Sequence, residues 1–304
     1  MHMKQKILIT GARGFVGSVF ASLLSDWCTI FTPSRDEMDI TEKESVLSYV
    51  SRVKPTAIIH AAAFTDNTRA ENERGDTSGE CYRVNVTGSD AIAVAMEQSG
   101  AYGIYISTGS VFSGTPVNPG PFSEEDPVAS DELLSWYGVT KKLGEQFFQP
   151  HGAIIRLSHP LYGPVTPHRR ISAMGEYLRS LLMLYRKKQL YPLFIDQYFP
   201  VTDLAIAAQG VRTLVANRSC GIFHMVSDDE VSPYELCLYA LKGLGLDTHE
   251  LQTISFDDYV KRETLPARFT KYSAITGVDT GKKLGIPAYS WQDVVNKNMS
   301  YYEK

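Results

Sequence analysis

A tyrosine and a lysine four residues apart, Tyr137 and Lys141, are the two side chains of this sequence best suited to acid–base chemistry. On a helix, residues at i and i+4 lie on one face, one turn apart. A nearby ammonium favours the phenolate, so Lys141 is predicted to lower the pKa of Tyr137 toward working pH. The tyrosine would then act as a general acid when a ketone is reduced and as a base in the reverse direction.

Two hydroxyl residues, Ser107 and Thr108, follow the apolar run 104–106. The run is predicted to be a strand, and ligands of doubly wound sheets bind at the carboxyl ends of the strands. Thr108 can donate a hydrogen bond to a carbonyl oxygen as negative charge develops there. Thr108, Tyr137 and Lys141 are therefore the predicted catalytic residues.

The turn between the first predicted strand and helix is rich in glycine, with the spacing G-x-x-G-x-x-G from Gly11 to Gly17. Glycine permits a positive φ, and the missing Cβ lets the backbone approach a pyrophosphate. The following helix presents free N–H groups to the phosphates. The alternative is a turn that binds no ligand, which the position at the start of a βαβ series disfavours. The predicted dinucleotide contacts in this turn are Gly11, Arg13, Gly14, Phe15, Val16 and Gly17.

The end of the second predicted strand indicates which dinucleotide binds. A fold that prefers NAD usually carries an acid there, which binds the ribose 2′-hydroxyl. This sequence has Ser34 and Arg35 instead, and both can bind a 2′-phosphate. Arg13 can assist, because guanidinium and phosphate pair in a bidentate fork. NADP is therefore the predicted cofactor; in the alternative, Arg35 is a solvated surface charge, Asp36 or Asp39 faces the ribose, and NAD binds.

The elements that must position these residues alternate along the first half of the chain. Short apolar runs, which predict buried strands, are separated by stretches with helical spacing. Strands are predicted at 7–9, 28–31, 57–60 and 103–106, and helices at 15–24, 42–53, 80–99 and 134–149. Continuous apolar strands that alternate with helices indicate an α/β protein with a doubly wound parallel sheet of the Rossmann type.

The second half of the chain is less regular. It adds predicted strands at 153–157, 193–195 and 222–225, and helices at 171–188, 203–216 and 232–244. We predict an NADP-binding Rossmann domain over 1–160, to which 191–227 returns. Segments 161–190 and 228–304 are predicted to form a small C-terminal α/β substrate lobe. The apolar stripe from Leu178 to Tyr185 is either helical core or an oligomer face, which leaves a homodimer open.

The composition of the 304-residue chain excludes several classes of protein. Hydrophobic residues make up 43% and charged residues 21%, which is typical of a globular domain and not of a disordered or fibrous chain. A net charge of -4 does not indicate a nucleic-acid binder. No apolar run reaches the roughly 20 residues of a membrane span, and no secretory leader precedes the first strand. The cysteines are scattered without CxxC spacing, so a cytoplasmic location is expected. No metal-ligand motif occurs, and no catalytic metal is predicted.

The glycine turn, the Tyr–Lys pair and the strand-end threonine together resemble the extended branch of the short-chain dehydrogenase/reductase superfamily, over nearly the whole chain. More closely, the sequence resembles the dTDP-4-dehydrorhamnose reductase family of nucleotide-sugar reductases. The segments that carry this resemblance are Asp39–Thr41, His60–Thr65, Val84–Asn85, Ile106–Thr108, Val111–Phe112, Tyr137–Gly138, Lys141, Leu161–Gly163, Asp196–Ala205, Gly221–His224 and Asp279–Lys282.

The resemblance implies roles by position. Thr108 would orient the substrate carbonyl, Tyr137 would donate the proton, and Lys141 would also bind the nicotinamide ribose. Asn85 would lie behind the site and organise a proton relay, or else bond only within its own helix. The further cofactor contacts expected are Asp39, Ile40, Ala61, Ala62, Ala63, Thr65, Asn85, Ser107, Tyr137, Lys141 and Pro160.

The sequence departs from the family pattern where the sugar is expected. Gly109 and Ser110 replace the Asp-Tyr that follows the catalytic threonine, and they lack the acids that a dehydratase needs to eliminate water. His159 follows a position where the family has a tryptophan; it is either a substrate contact, a second acid or a structural hydrogen-bonding residue. Trp136 is expected to cap the pocket. The candidate substrate contacts are Gly109, Trp136, His159, Arg170, Gln197 and Arg268, with a solvated surface position as the alternative for Arg170.

Taken together, the resemblance implies NADP-dependent reduction of a keto group on a nucleotide-activated deoxysugar, with Tyr137 as the proton donor. One alternative is a nucleotide-sugar epimerase on the same scaffold, in which the cofactor is regenerated in each cycle. The other is a non-catalytic NADP-binding regulatory protein, similar to the regulatory subunit of methionine adenosyltransferase. The presence of Thr108, Tyr137 and Lys141 disfavours the purely regulatory role.

Overall fold

The computed structural model describes residues 5–149, 151–164, 176–262 and 270–303. The strands are β1 (Lys6–Thr10), β2 (Thr29–Phe31), β3 (Ala57–His60), β4 (Tyr102–Thr108), β5 (Ala153–Leu157), β6 (Pro160–Leu161), β7 (Leu193–Phe194), β8 (Thr202–Asp203), β9 (Gly221–His224) and β10 (Thr253–Ile254). Six of them form a parallel sheet in the order β2-β1-β3-β4-β5-β9. β6 pairs with β8 and β7 pairs with β10 in two small separate sheets.

Some of the helices connect the strands of the large sheet and cover it, and others lie apart from it. The helices are α1 (Phe15–Leu24), α2 (Lys43–Val53), α3 (Asn67–Asn72), α4 (Glu80–Tyr82), α5 (Gly88–Ser99), α6 (Trp136–Gln146), α7 (Tyr177–Arg186), α8 (Leu204–Asn217), α9 (Pro233–Gly243), α10 (Phe256–Arg262), α11 (Val278–Leu284) and α12 (Trp291–Asn298). The segment between α4 and α5, Arg83–Thr87, is a π-helical turn. The helix predicted over 80–99 is therefore one run with a wider turn inside it. In the described parts of the chain, no helix is long and apolar enough to cross a membrane.

Both faces of the sheet are buried, because successive side chains of a strand point to opposite faces. In β1, Ile7 and Ile9 pack with α1 and α8 on one face, and Leu8 packs with α2 and α5 on the other. The chain runs from β1 to β2 on one side and then crosses to β3 on the other. β1 and β3 therefore flank the reversal of strand order, where ligands of such sheets bind. The predicted fold class, a doubly wound parallel α/β sheet, is confirmed.

A second apolar core lies apart from the sheet and packs α7, α9 and α12 together. The predicted stripe on α7 belongs to this core, since Leu178, Leu181 and Leu182 are buried in it. The strand predicted at 193–195 is also found here, paired with β10 instead of joining the large sheet. Of the segment predicted to return to the first domain, β9 joins the large sheet and α8 packs against α1. The domain boundaries themselves stay a prediction.

A buried ion pair fastens α6 to the sheet. Arg156 of β5 donates from Nε to Glu145 Oε1 at 2.9 Å and from a terminal nitrogen to Oε2 at 2.8 Å, in a two-bond fork. The Ser107 hydroxyl of β4 also donates to Glu145 Oε1, at 2.5 Å. Arg156 is 1% exposed and Glu145 4% exposed, so neither charge is compensated by water. The pair therefore fixes both the position and the rotation of α6 against β4 and β5.

Removing one member of this pair leaves the other charge buried and uncompensated. We expect Arg156→Met to lower the free energy of unfolding in urea by about 3–5 kcal/mol. The double variant Glu145→Met/Arg156→Met removes both charges and is expected to be more stable than the single variant. The matched control is Lys282→Met, which breaks an exposed ion pair with Asp279 and should cost no more than about 1 kcal/mol. Equal losses for Arg156→Met and Lys282→Met would contradict the account.

Candidate active site

The glycine turn after β1 has a shape that only glycine permits. Gly11 has a φ of +69°, and a Cβ at this position would lie 2.5 Å from the backbone nitrogen of Ala62. A Cβ on Gly17 would lie 2.5 Å from the carbonyl oxygen of Gly11, so this glycine lets α1 pack against the turn. Gly14 precedes α1 without a side-chain cap. α1 begins directly after this turn, so the positive end of its dipole lies at the carboxyl end of β1, as phosphate binding requires.

A cleft of about 300 Å³ opens from this turn at the reversal of strand order. Its lining residues are Thr10, Gly11, Ala12, Arg13, Gly14, Pro33, Ser34, Arg35, Met38, Asp39, Ile40, Thr41, Ala61, Ala62, Ala63 and Val84. The cleft thus brings together most of the predicted cofactor contacts, from three segments distant in sequence. Phe15, Val16, Gly17, Thr65, Asn85, Ser107 and Pro160 do not line it. A backbone cradle that a Cβ would fill, beside an open cleft of this size, fits a dinucleotide.

Charged side chains surround the outer end of the cleft. Arg35 donates from Nε to Asp39 Oδ2 at 2.9 Å, and the Ser34 hydroxyl donates to Glu37 Oε2 at 2.9 Å. The two side chains predicted to bind a 2′-phosphate are therefore engaged by carboxylates. The side chain of Arg35 is 65% exposed, so it can turn from Asp39 to another anion at little cost. Arg13 lies in the same wall and is exposed.

Two of the predicted catalytic residues, Thr108 and Tyr137, lie close together at the carboxyl end of β4, and Lys141 lies one turn further along α6. The backbone nitrogen of Ser110 donates to Thr108 Oγ1 at 3.1 Å, and the Thr108 hydroxyl donates to Ser110 Oγ at 3.2 Å. The Thr108 hydroxyl also lies close enough to the Tyr137 phenol to lower its pKa. Ser135 caps α6 by accepting from the Gly138 nitrogen at 3.1 Å. The cap fixes the start of the helix and with it the direction of Tyr137.

Two glycines let α6 approach β4 and the turn after Thr108; Gly138 belongs to a segment of the family resemblance, whereas no sequence motif marked Gly144. A Cβ on Gly138 would lie 2.4 Å from the carbonyl oxygen of Ser110. A Cβ on Gly144 would lie 2.2 Å from the hydroxyl oxygen of Tyr105. Larger residues at these positions would push α6 away from the turn that follows Thr108. The distance between the threonine and the tyrosine thus depends on them.

The expected effect of Lys141 on Tyr137 is wrong for the protein as it stands. Burial raises the pKa of Tyr137 to about 12, and the nearby Thr108 hydroxyl only partly offsets this rise. Burial also lowers the pKa of Lys141 to about 7. The lysine Nζ donates to the carbonyl oxygen of Ile106 at 2.8 Å and lies 3.9 Å from the centre of the Tyr105 ring. Desolvation is the largest influence on both groups, so the tyrosine stays protonated at neutral pH.

Asn85 has a different set of partners from those expected. Its amide nitrogen donates to the Thr140 hydroxyl at 3.0 Å and to the carbonyl oxygen of Phe64 at 3.1 Å. Its amide oxygen accepts from the Phe64 nitrogen at 2.8 Å. The side chain therefore joins the loop after β3 to α6 and does not bond only within its own helix. It lies in the π-helical turn, which places the amide between the two elements.

A second, larger cavity of about 530 Å³ begins beside the catalytic residues. Its lining residues are Asn67, Ser110, Ser135, His159, Tyr177, Tyr191, Pro192, Leu193, Phe194, Gln197, Phe199, Pro233, Ile254, Tyr259, Thr270 and Ser273. His159 and Gln197 were predicted as substrate contacts. The other walls come from short segments spread over the chain, which have no common motif in the sequence.

Other predicted substrate contacts do not line this cavity. Trp136 packs in an apolar cluster, with its ring stacked on Tyr82 at 6.3 Å, so the expectation that it caps the pocket is wrong. Gly109 is buried beside the backbone of Ser273. Arg170 and Arg268 lie outside the described residues. In the parts of the chain that the structure describes, no cluster of three His, Cys, Asp or Glu side chains could bind a metal ion.

A parallel sheet with a glycine turn at its strand reversal, and a Thr–Tyr–Lys set beside it, defines an oxidoreductase of the extended short-chain dehydrogenase/reductase class. The chain belongs to the family described as RmlD substrate binding domain, whose model matches residues 4–303. The resemblance expected from the motifs is therefore confirmed.

Individual relatives agree with this membership. A dTDP-4-keto-6-deoxy-D-glucose reductase from Streptomyces niveus is 28% identical over 295 residues, covering 95% of this chain and 94% of the relative. Methionine adenosyltransferase 2 subunit beta from Mus musculus is 27% identical, covering 83% and 75%. The fold is similar to the structure of dTDP-4-dehydrorhamnose reductase from Bacillus anthracis in complex with NADP, with a TM-score of 0.84 at 24% identity, covering 98% and 99% of the two chains.

The lowered pKa of Lys141 predicts a pH-dependent stability. The lysine has a pKa of about 7 in the folded chain and 10.5 as its ordinary value, so between these values the unfolded chain binds more protons. Stability contributed by this group therefore rises with pH across that window. We expect the free energy of unfolding of the wild type, relative to Lys141→Met, to rise by about 2 kcal/mol from pH 7 to pH 9. Urea denaturation at both pH values measures this, and parallel curves would contradict it.

Proposed function

We propose that the protein is an NADP-dependent reductase of a keto group on a nucleotide-activated deoxysugar. The observation that carries this proposal is the contact of Thr108 with two groups, the Tyr137 phenol and Ser110. Ser110 lines the large cavity, so the proton donor stands at the entrance of a space that suits a sugar. The relative from Streptomyces niveus, named as a reductase of dTDP-4-keto-6-deoxy-D-glucose, supports this substrate class.

In this proposal each side chain has one task. Thr108 donates a hydrogen bond to the substrate carbonyl oxygen and orients it. Tyr137, protonated at neutral pH because its pKa is about 12, delivers its proton to the same oxygen as charge develops there. Lys141 is held against β4 by the carbonyl oxygen of Ile106 and the ring of Tyr105. In that position it would bind the nicotinamide ribose. The glycine turn and the walls of the small cleft would hold the dinucleotide, which would supply the hydride.

The preference for NADP rests on the outer end of the cleft. Arg35 and Ser34 would exchange their carboxylate partners for the 2′-phosphate, and Arg13 would add a second guanidinium. The alternative, in which Asp39 binds the ribose 2′-hydroxyl of NAD, keeps the Arg35–Asp39 pair intact. A cytoplasmic location, a homodimer and the absence of a catalytic metal stay predictions.

A second candidate function is the binding of NADP without turnover, as a regulatory subunit. The similarity to methionine adenosyltransferase 2 subunit beta favours it. The closeness of Tyr137 to Thr108 favours the reductase instead, since a regulatory protein has no use for a positioned proton donor.

Replacing the proton donor tests the reductase. With dTDP-4-keto-6-deoxy-D-glucose as substrate, Tyr137→Phe is expected to lower kcat for NADPH oxidation by at least about 100-fold, because it removes the general acid. The dissociation constant for NADPH, followed by fluorescence, should stay unchanged. The control is Tyr239→Phe, which removes a phenol of α9 that is hydrogen-bonded to Asn296 and lines neither cavity.

Three other outcomes would each lead to a different assignment. Unchanged turnover in Tyr137→Phe would overturn the catalytic assignment. A changed sugar with no net consumption of NADPH would identify an epimerase. Tight NADPH binding with no turnover by the wild type, over a panel of nucleotide keto-sugars, would identify the regulatory protein.

The cofactor assignment is tested at Arg35. We expect Arg35→Ala to raise the dissociation constant for NADPH about tenfold and to leave that for NADH unchanged, because only NADPH carries the 2′-phosphate. Arg218→Ala, which removes an exposed arginine near the opposite end of the sheet, is the control. A tighter binding of NADH than of NADPH by the wild type would instead support the Asp39 alternative.

A further inference from the structure

The walls of the large cavity, as far as the structure describes them, carry no Arg, Lys, Asp or Glu side chain. They consist of aromatic rings, aliphatic side chains and a few neutral polar groups. The small cleft differs, since Arg13, Arg35 and Asp39 lie in its wall. An uncharged wall favours an uncharged part of a ligand, because an ion would lose its hydration there without compensation. The part of the substrate that enters this cavity is therefore one with hydroxyl groups and no charge.

One residue of this wall, His159, is held in a conformation that its own backbone does not favour. Its φ is +39°, in the left-handed region that side chains other than glycine rarely adopt. Its ring stacks on Phe199 with 3.5 Å between ring centres and meets the edge of Tyr177 at 5.0 Å. The surrounding aromatic groups thus compensate for the backbone strain. Such strain is found where a side chain must point in one particular direction.

The charge state of His159 follows from its surroundings. Burial lowers its pKa to about 3, so the imidazole is neutral at pH 7. The groups that face it are the Ser158 hydroxyl on its own segment, Tyr177 at the start of α7 and the Phe199 ring. None of these carries a charge that would favour the imidazolium. At neutral pH the residue therefore offers hydrogen bonds and no positive charge, which argues against a phosphate ligand and against a second acid.

The two ring nitrogens of His159 have different roles. Nδ1 is hydrogen-bonded to the Ser158 hydroxyl at 3.0 Å. Among the described residues, no group bonds Nε2. In a neutral imidazole one nitrogen donates and the other accepts, so Nε2 takes whichever role Nδ1 does not. A hydroxyl group satisfies Nε2 in either case, because it both donates and accepts.

We propose that His159 is a specificity-determining residue that binds a ring hydroxyl of the sugar through Nε2. This proposal rests on the proposed reductase function and names the group that its cavity recognises. Phe199 and Tyr177 fix the plane of the imidazole ring. The hydrogen bond with Ser158 fixes which way the ring is turned within that plane. The cavity therefore selects sugars with a hydroxyl at the matching ring position and discriminates against deoxy analogues, which would leave Nε2 unpaired.

The test compares wild type and His159→Phe on dTDP-4-keto-6-deoxy-D-glucose and its 2-deoxy and 3-deoxy counterparts. His159→Phe keeps a ring on Phe199 and removes both nitrogens. For the full sugar, kcat/KM is expected to fall about tenfold to 100-fold, mainly through KM, as for the loss of one well-placed hydrogen bond. The wild type should discriminate against one deoxy sugar by a similar factor, and His159→Phe should lose that discrimination. The pH profile of kcat/KM should keep its shape, as expected for a neutral residue.

Controls separate this proposal from the reductase function on which it rests. His249→Phe changes an exposed histidine in the same way and should leave all three kcat/KM values unchanged. Ser158→Ala leaves the strained backbone of His159 intact and should partly weaken the discrimination between the full and the deoxy sugar. It therefore tests the proposal even if His159→Phe does not fold. If His159→Phe keeps the wild-type discrimination, or if the wild type accepts both deoxy sugars equally, His159 is not the specificity residue. If the wild type reduces no nucleotide keto-sugar, the reductase function fails as well.

Discussion

The buried fork between Arg156 and Glu145 is the interaction on which the geometry of the site depends. Glu145 lies eight residues after Tyr137 and four after Lys141, so all three share one face of α6. The fork ties the end of that face to β5, and Ser107 ties it to β4 one residue before Thr108. A helix held at this end by two charges cannot rotate without leaving a charge uncompensated. The distance from Thr108 to Tyr137 is set by this constraint.

The small cleft and the large cavity differ in the charge of their walls. The glycine turn and the arginines of the small cleft suit a dinucleotide, whereas the aromatic walls of the large cavity suit a neutral ring. Ser110, which is hydrogen-bonded to Thr108 at the carboxyl end of β4, lies in the wall of the large cavity. Burial of this region keeps Tyr137 protonated, which suits a proton donor in a reduction. The same burial lowers the pKa of Lys141 and so disfavours its positive charge in the free protein.

The sequence predicted those features that local spacing encodes. The apolar runs of β1, β3 and β5 predict strands of a parallel sheet that is covered on both faces, because such strands are continuously apolar. The Tyr–Lys spacing and the glycine turn are likewise patterns contained within a few residues of sequence. The raised pKa of Tyr137 could not be predicted, because it depends on how many atoms of other segments surround the phenol. Trp136 was assigned to the pocket from its place in the sequence, but its ring packs on Tyr82, which lies far away along the chain. The walls of the large cavity were missed for the same reason.

The central claim, hydride transfer to a sugar carbonyl with a proton from Tyr137, is tested most directly by following the hydrogen itself. The protein is incubated with NADPH that carries deuterium on the transferable position of nicotinamide C4 and with dTDP-4-keto-6-deoxy-D-glucose, and the sugar is examined by mass spectrometry and NMR. The account predicts deuterium on the former carbonyl carbon, with one equivalent of NADP formed for each sugar reduced. A converted sugar without deuterium, with the label retained on the nicotinamide, would contradict it.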